Sequence, residues 1–244
     1  MAIPNFHKIK KAAIDEKLTK VRYGYVYENG MWKRVWSGAS EVTVILGGVI
    51  IDTLEVDDET NILPNIAVPS VPSGAVFLGW SDSLDNTTPL TECFADGDPK
   101  TLYGIYKYND QVLASNVSLA WDANGYSSQN IRRSFCNVDG NKFRAVRIQA
   151  QAYSVDVAGY NTANTINLYV GVNGSTEAWV YYQNQVGGIG VDGDHRYITS
   201  RGGSVDATIN VPQNSTYAYG RAAGECYEAH LRGTVTGLGR TYVG

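Results

Sequence analysis

The residues of this chain best suited by type to acid and base chemistry are Asp122, Asp156, Glu177, Asp206, Glu225 and Glu228, all in its C-terminal half. Hydrolysis of a glycosidic bond takes two carboxyl groups held across a sugar, one of them with its pKa raised by burial. Nothing in the spacing pairs these acids, and most stand in turns or on the polar side of alternating runs, so the expectation is solvent-facing carboxylates and no enzyme. Asp192, Asp194 and His195 are weak candidates for a cation site, but they lack the regular oxygen-ligand spacing of a calcium loop, and a polar turn without metal is expected. Gly188-Ile189-Gly190-Val191-Asp192-Gly193 has the spacing of a dinucleotide loop. That loop needs a strand before it and a helix after it, neither of which is visible, so a flexible loop and no cofactor are expected. His7 and His230 are isolated, with no Gly-x-Ser-x-Gly elbow to supply a nucleophile. Cys93, Cys136 and Cys226 are odd in number and far apart, which suggests neither zinc nor a disulfide framework. The aromatics offer binding rather than catalysis. Tyr181, Tyr182, Tyr197, Tyr217 and Tyr219 lie near Asn- and Gly-rich loops, where ring faces beside amide and hydroxyl donors suit sugars; ordinary sandwich packing is the competing reading.

The elements that must position these groups are strands. Among 244 residues, 26 Gly and 17 Tyr accompany frequent Val, Thr and Asn, with only 18% charged residues, a composition that favours β structure over long helices. The length accommodates about two domains of the usual ~100 to 200 residues. A formal charge of -4 argues against a nucleic-acid interface, which would present a concentrated basic face. No run approaches the roughly 18 apolar residues of a spanning helix, so no membrane insertion is expected. Lys8, Lys10 and Lys11 precede Ala12-Ala13-Ile14, but Asp15 and Glu16 interrupt any apolar core of a signal peptide. The sequons at Asn86, Asn116, Asn173 and Asn214 are then read as polar loops.

Three regions follow. In residues 1–40, Asn29-Gly30 between aromatic-rich runs predicts a type I′ hairpin over residues 22 to 37. A lone hairpin is marginal in water, so the face carrying Tyr23, Tyr25, Tyr27, Trp32 and Trp36 must cover either the neighbouring module or a partner. Residues 1 to 20, with Ile9, Ala13 and Leu18 near helical spacing, read as an amphipathic arm or an extended segment ordered on assembly. In residues 109–244, Val146, Ile148, Ala150 and Ala152 alternate with polar neighbours, as do Val205, Ala207, Ile209 and Val211. Turn signals at Asn124-Gly125, Asp139-Gly140, Asn173-Gly174, Gly187-Gly188 and Asp192-Gly193 divide the region into eight or nine antiparallel strands. A β-sandwich is expected. Whether it is a jelly roll stays open, because connection order is not legible.

Residues 41–108 hold a further signature. A strand pair broken at Gly47-Gly48 leads through a proline-marked loop into Phe77-Leu78-Gly79-Trp80, and the run ends in Thr101-Leu102-Tyr103-Gly104-Ile105-Tyr106. That order resembles the B-repeat of internalin-type bacterial surface proteins, a small β-grasp-like module, with Gly104 where Ala is usual and Tyr106 where Trp is usual. The stretch from Tyr23 to Gly38, with Lys8-Ile9-Lys10-Lys11-Ala12 upstream, resembles a hairpin motif common at the ends of bacteriophage tail-region proteins. Together the resemblances imply a non-enzymatic virion protein, assembled in the host cytoplasm and extracellular after lysis. They imply a tail, baseplate or fibre component, with a capsid decoration or head fibre as one alternative and a secreted adhesin as another. Its partners would be other virion proteins, further copies of itself and a host surface glycan or protein.

Overall fold

The computed structural model describes residues 12–14, 17–19, 23–37, 39–57, 60–94, 99–122, 128–158, 166–181, 189–192, 195–199, 203–225 and 228–244, some strand residues through their backbone alone. The protein is mainly β, with antiparallel pairing predominant. Its backbone separates into two compact units, residues 1–107 with 241–244, and residues 108–240.

In the first unit, β1 (Ala12–Ile14) pairs with β2 (Lys17–Thr19), so part of the predicted arm is a short antiparallel ribbon. The predicted hairpin is β3 (Tyr23–Glu28) and β4 (Met31–Ser37), joined by Asn29 at φ 53° and Gly30 at φ 79°. Two consecutive positive φ values define the type I′ geometry, which Asn and Gly tolerate. Next, β5 (Ala39–Leu46) and β6 (Val49–Asp57) form a hairpin over Gly47-Gly48. A 3-10 turn at Leu63–Asn65 lies in the connection to β7 (Ala75–Ser81), which pairs with β8 (Lys100–Tyr108). β8 lies parallel to β5, and this central parallel pair beside an antiparallel hairpin gives the sheet its β-grasp-like form. Its core holds Val42, Val44, Ile62, Ile66, Trp80, Cys93 and Leu102. Asn61 ties the connection to the module, its Oδ1 accepting from the Cys93 and Leu63 N–H groups at 3.1 and 3.3 Å.

The second unit runs through β9 (Gln111–Asp122), β10 (Ser128–Asn137), β11 (Phe143–Ala158), β12 (Ile166–Val172), β13 (Glu177–Tyr181), β14 (Ile189–Asp192), β15 (His195–Thr199), β16 (Ser204–Asn210), β17 (Tyr217–Glu225) and β18 (Glu228–Gly239). One sheet has the order β10-β17-β12-β13; in the other, β9-β18-β11 is followed by β16 along the first half of β11 and by β15-β14 along the second. Omitting β14 and β15, the strands are shared as first, eighth, third and sixth against second, seventh, fourth and fifth. That is the jelly-roll arrangement, two interlocked Greek keys. The β14–β15 hairpin falls where a flexible loop was expected; Ile189 and Val191 alternate with glycine and aspartate, a short strand pattern that the loop-like glycines obscured.

The alternation predicted for β11 holds, with Val146, Ile148, Ala150 and Ala152 buried and Arg147, Gln149 and Gln151 exposed. These side chains meet Leu168, Val170, Phe135, Ala218 and Ala222 of the opposite sheet in one core. Trp121, fully buried, donates its Nε1–H to the Ile131 carbonyl at 2.9 Å, so its one polar atom is satisfied inside. After Arg240 the chain leaves this unit, and β19 (Thr241–Val243) pairs antiparallel with β8 of the first.

Candidate binding face on the four-stranded sheet

Because side chains alternate across a strand, one set of residues from β10, β17, β12 and β13 points away from the sandwich core. Register arranges them in rows. Arg132, Arg221, Tyr169 and Trp179 form one row across the four strands. Ser134, Tyr219, Gly171 and Glu177 form the adjacent one.

Within the first row, the Tyr169 and Trp179 rings pack at 4.9 Å with an angle of 58°, and the Arg221 guanidinium sits 4.1 Å from the Tyr169 centroid. Trp179 keeps 53% of its surface exposed, an unusual placement for so large an apolar ring. In the second row, the Tyr219 hydroxyl donates to Glu177 Oε1 at 2.7 Å, passing over Gly171. Arg221 grips the same carboxylate, Nε 2.8 Å from Oε1 and Nη2 2.5 Å from Oε2, and donates Nη1 to Asn130 Oδ1 at 3.2 Å. Arg132 stacks 4.4 Å above the Tyr219 ring with Nη2 3.6 Å from Glu177 Oε1, and half of its side chain remains exposed.

The electrostatics follow from this packing. Burial pushes the Glu177 carboxyl up, but hydrogen bonds from Arg221 and Tyr219 and the charges of both arginines outweigh it and hold the group below its ordinary value. Burial and the neighbouring carboxylate push the Tyr219 phenol up to about 12. Its hydrogen bond to Glu177 raises the Arg221 guanidinium further. At neutral pH the cluster therefore holds two cations and one anion. A carboxylate locked as the anion is a poor proton donor. This arrangement suits binding, through an aromatic platform flanked by fixed hydrogen-bonding groups.

Of the tyrosines predicted to bind, Tyr219 belongs to this cluster, and Tyr217 packs beside it at 5.7 Å. Tyr219 is almost wholly buried, so it supports the face from beneath. Tyr181 and Tyr197 are placed by backbone only, in β13 and β15, and Tyr182 lies outside the described residues. Asp192 and His195 are cross-strand partners in the β14–β15 hairpin, while Asp194 lies outside the described residues. Among the described residues no group of three or more His, Cys, Asp or Glu is placed to hold a metal ion.

The remaining acids divide. Backbone register brings Asp122, Glu228 and Asp156 onto one row across β9, β18 and β11, although their side chains, like that of Glu225, are outside the described set. Asp206 faces solvent on the other sheet, where it accepts from Arg147 Nε at 2.7 Å and from Gln149 at 3.2 Å, beside an open groove of about 350 Å3. Trp179 and the two arginines were missed in the sequence. The available signal was the alternation Glu177, Trp179, Tyr181 along one short strand.

On the first unit, the β3–β4 hairpin presents Tyr27, Met31 and Trp32 to solvent, with Trp32 71% exposed, and the Tyr27 and Trp32 rings pair across the strands at 5.2 Å. The side chains of Tyr23, Tyr25 and Trp36 are outside the described set.

The fold thus defines the second unit as a jelly-roll domain carrying an aromatic and charged face. No protein-family model, no curated protein and no solved structure matches the chain.

Proposed function

We propose that this chain is a non-enzymatic structural protein of a bacteriophage virion, a tail, baseplate or fibre component that displays its jelly roll for adhesion to the host surface or for assembly. The observation that carries the reading is the jelly-roll strand order of residues 108–240, an architecture shared by capsid and lectin domains, which work by assembly and by surface recognition. The N-terminal hairpin supports it. Tyr27, Met31 and Trp32 form an exposed apolar surface at one end of β3–β4, suited to docking on another virion protein, and its sequence resembles a phage tail-region motif. The β-grasp-like module, with its resemblance to the B-repeat, joins attachment to display along the chain. Many copies fixed on a particle convert weak contacts with host glycans or proteins into avidity, without a deep pocket on any copy.

A capsid decoration or head-fibre role is the second reading, favoured by the same jelly-roll order. Quantitative mass spectrometry of gradient-purified particles tests both. The expected result is this chain co-sedimenting at a fixed, multi-copy ratio to the major virion proteins. Recovery only from the particle-free medium contradicts the virion assignment and favours a secreted adhesin.

A further inference from the structure

The face built on β10, β17, β12 and β13 deepens the adhesion reading and rests on it. Its exposed ring, Trp179, lies in one cross-strand row with two guanidiniums, those of Arg221 and Arg132. Arg221 is committed to Glu177, through a bidentate contact, and to Asn130. Arg132 is not so committed. Its Nη2 stands 3.6 Å from Glu177, too far for a strong hydrogen bond, while its guanidinium plane is held in place against the Tyr219 ring. Tyr219 and Arg221 already donate to the Glu177 carboxylate, and it cannot neutralise both arginines. A surplus positive charge therefore stands on a fixed fork of donors, on the same surface as a flat apolar ring. An apolar peptide would leave that charge without a partner, and a neutral sugar would use the ring but not the charge. We infer that this face binds an acidic oligosaccharide, one pyranose ring stacked on Trp179 and a carboxylate of the chain received by Arg132.

A carboxylate matches the guanidinium fork in a paired, charge-assisted contact, and the sugar's apolar face matches the tryptophan. Glu177 then acts as a positioning residue, holding Arg221 and Tyr219 so that Arg132 and Tyr169 are presented in one plane of the surface.

Isothermal titration of the full chain with oligogalacturonate, a hyaluronan oligosaccharide and sialyllactose tests this, with methyl-esterified oligogalacturonate and poly(glycerol phosphate) as comparison ligands. At least one acidic saccharide is expected to bind saturably, more weakly as salt rises, with the matching neutral ester about tenfold weaker, the size expected for one charge-assisted hydrogen bond. Arg132→Gln is expected to erase the preference for acid over ester. Trp179→Ala is expected to weaken both by about tenfold, with Trp179→Phe retaining most of the affinity. Equal affinity for acid and ester, unchanged binding by Arg132→Gln, or no saturable binding to any of the three acidic saccharides overturns the inference. Binding of poly(glycerol phosphate) alone overturns the saccharide assignment. These titrations need no particle, so absence of the chain from virions would refute the virion reading and leave this site standing.

Discussion

Tyr219 and Glu177 meet over Gly171, the phenol oxygen 2.7 Å from the carboxylate although the two residues belong to strands separated by a third. The contact exists because position 171 has no side chain. A Cβ there would stand 2.9 Å from the Tyr219 ring and hydroxyl and 3.0 Å from Glu177 Cγ.

Gly171→Ala is therefore expected to push Tyr219 from its seat and destabilise the jelly roll by about 1 to 3 kcal/mol, the usual cost of overpacking. Urea denaturation checks it: the midpoint falls while the slope is unchanged. A midpoint equal to that of the parent would mean that the tyrosine moves aside at no cost.

Glu177→Gln leaves Arg221 and Arg132 facing a neutral amide. Loss of the charge-assisted hydrogen bonds in this half-buried setting is expected to cost about 1.5 to 3 kcal/mol. The sign of the pH dependence follows from the depressed carboxyl of the folded state. Glu177 contributes its stabilisation above the unfolded value of about 4.3, and that contribution is lost as pH falls through the lower folded value. Between pH 6 and roughly pH 3 the parent should thus lose more stability than Glu177→Gln. Parallel pH profiles would contradict the assigned role.

The Arg147–Asp206 pair has the same 2.5 Å closest approach as Arg221–Glu177, but both side chains are about half exposed. Water and salt screen such a pair, so Asp206→Asn is expected to leave the melting temperature unchanged within error. A drop comparable to that of Glu177→Gln would show that distance, not environment, decides.

Gly104 stands midway along β8. A Cβ at this position would lie 2.5 Å from Leu46 Cδ1 and 3.2 Å from Trp80. Gly104→Ala is expected to destabilise the β-grasp-like unit by about 1 to 2 kcal/mol, read as selective loss of amide protection in β5 and β8 by hydrogen exchange. Protection lost evenly across both units would contradict it.

Local pattern made much of this fold legible. Asn29-Gly30 specified its own turn, and the alternation through β11 and β16 identified the buried face, because period two is a property of the strand itself. The jelly-roll order was not legible. Pairings such as β9 with β18 join residues more than a hundred positions apart, and no local signal selects among the possible partners. The site divides in the same way. Glu177 and Tyr219 were recognisable by type, but what each does depends on Arg221, Arg132 and Gly171 brought in by register from other strands. The β14–β15 hairpin was hidden by glycines that equally suit a loop.

Cryo-electron microscopy of particles purified from the host tests the central proposal most directly. The predicted result is density for this chain at a symmetric position, with residues 23–37 seated on a neighbouring virion protein through the exposed side chains of Tyr27, Met31 and Trp32. Particles that carry the chain with this hairpin in open solvent would contradict the attachment role, and particles without the chain would contradict the virion assignment itself.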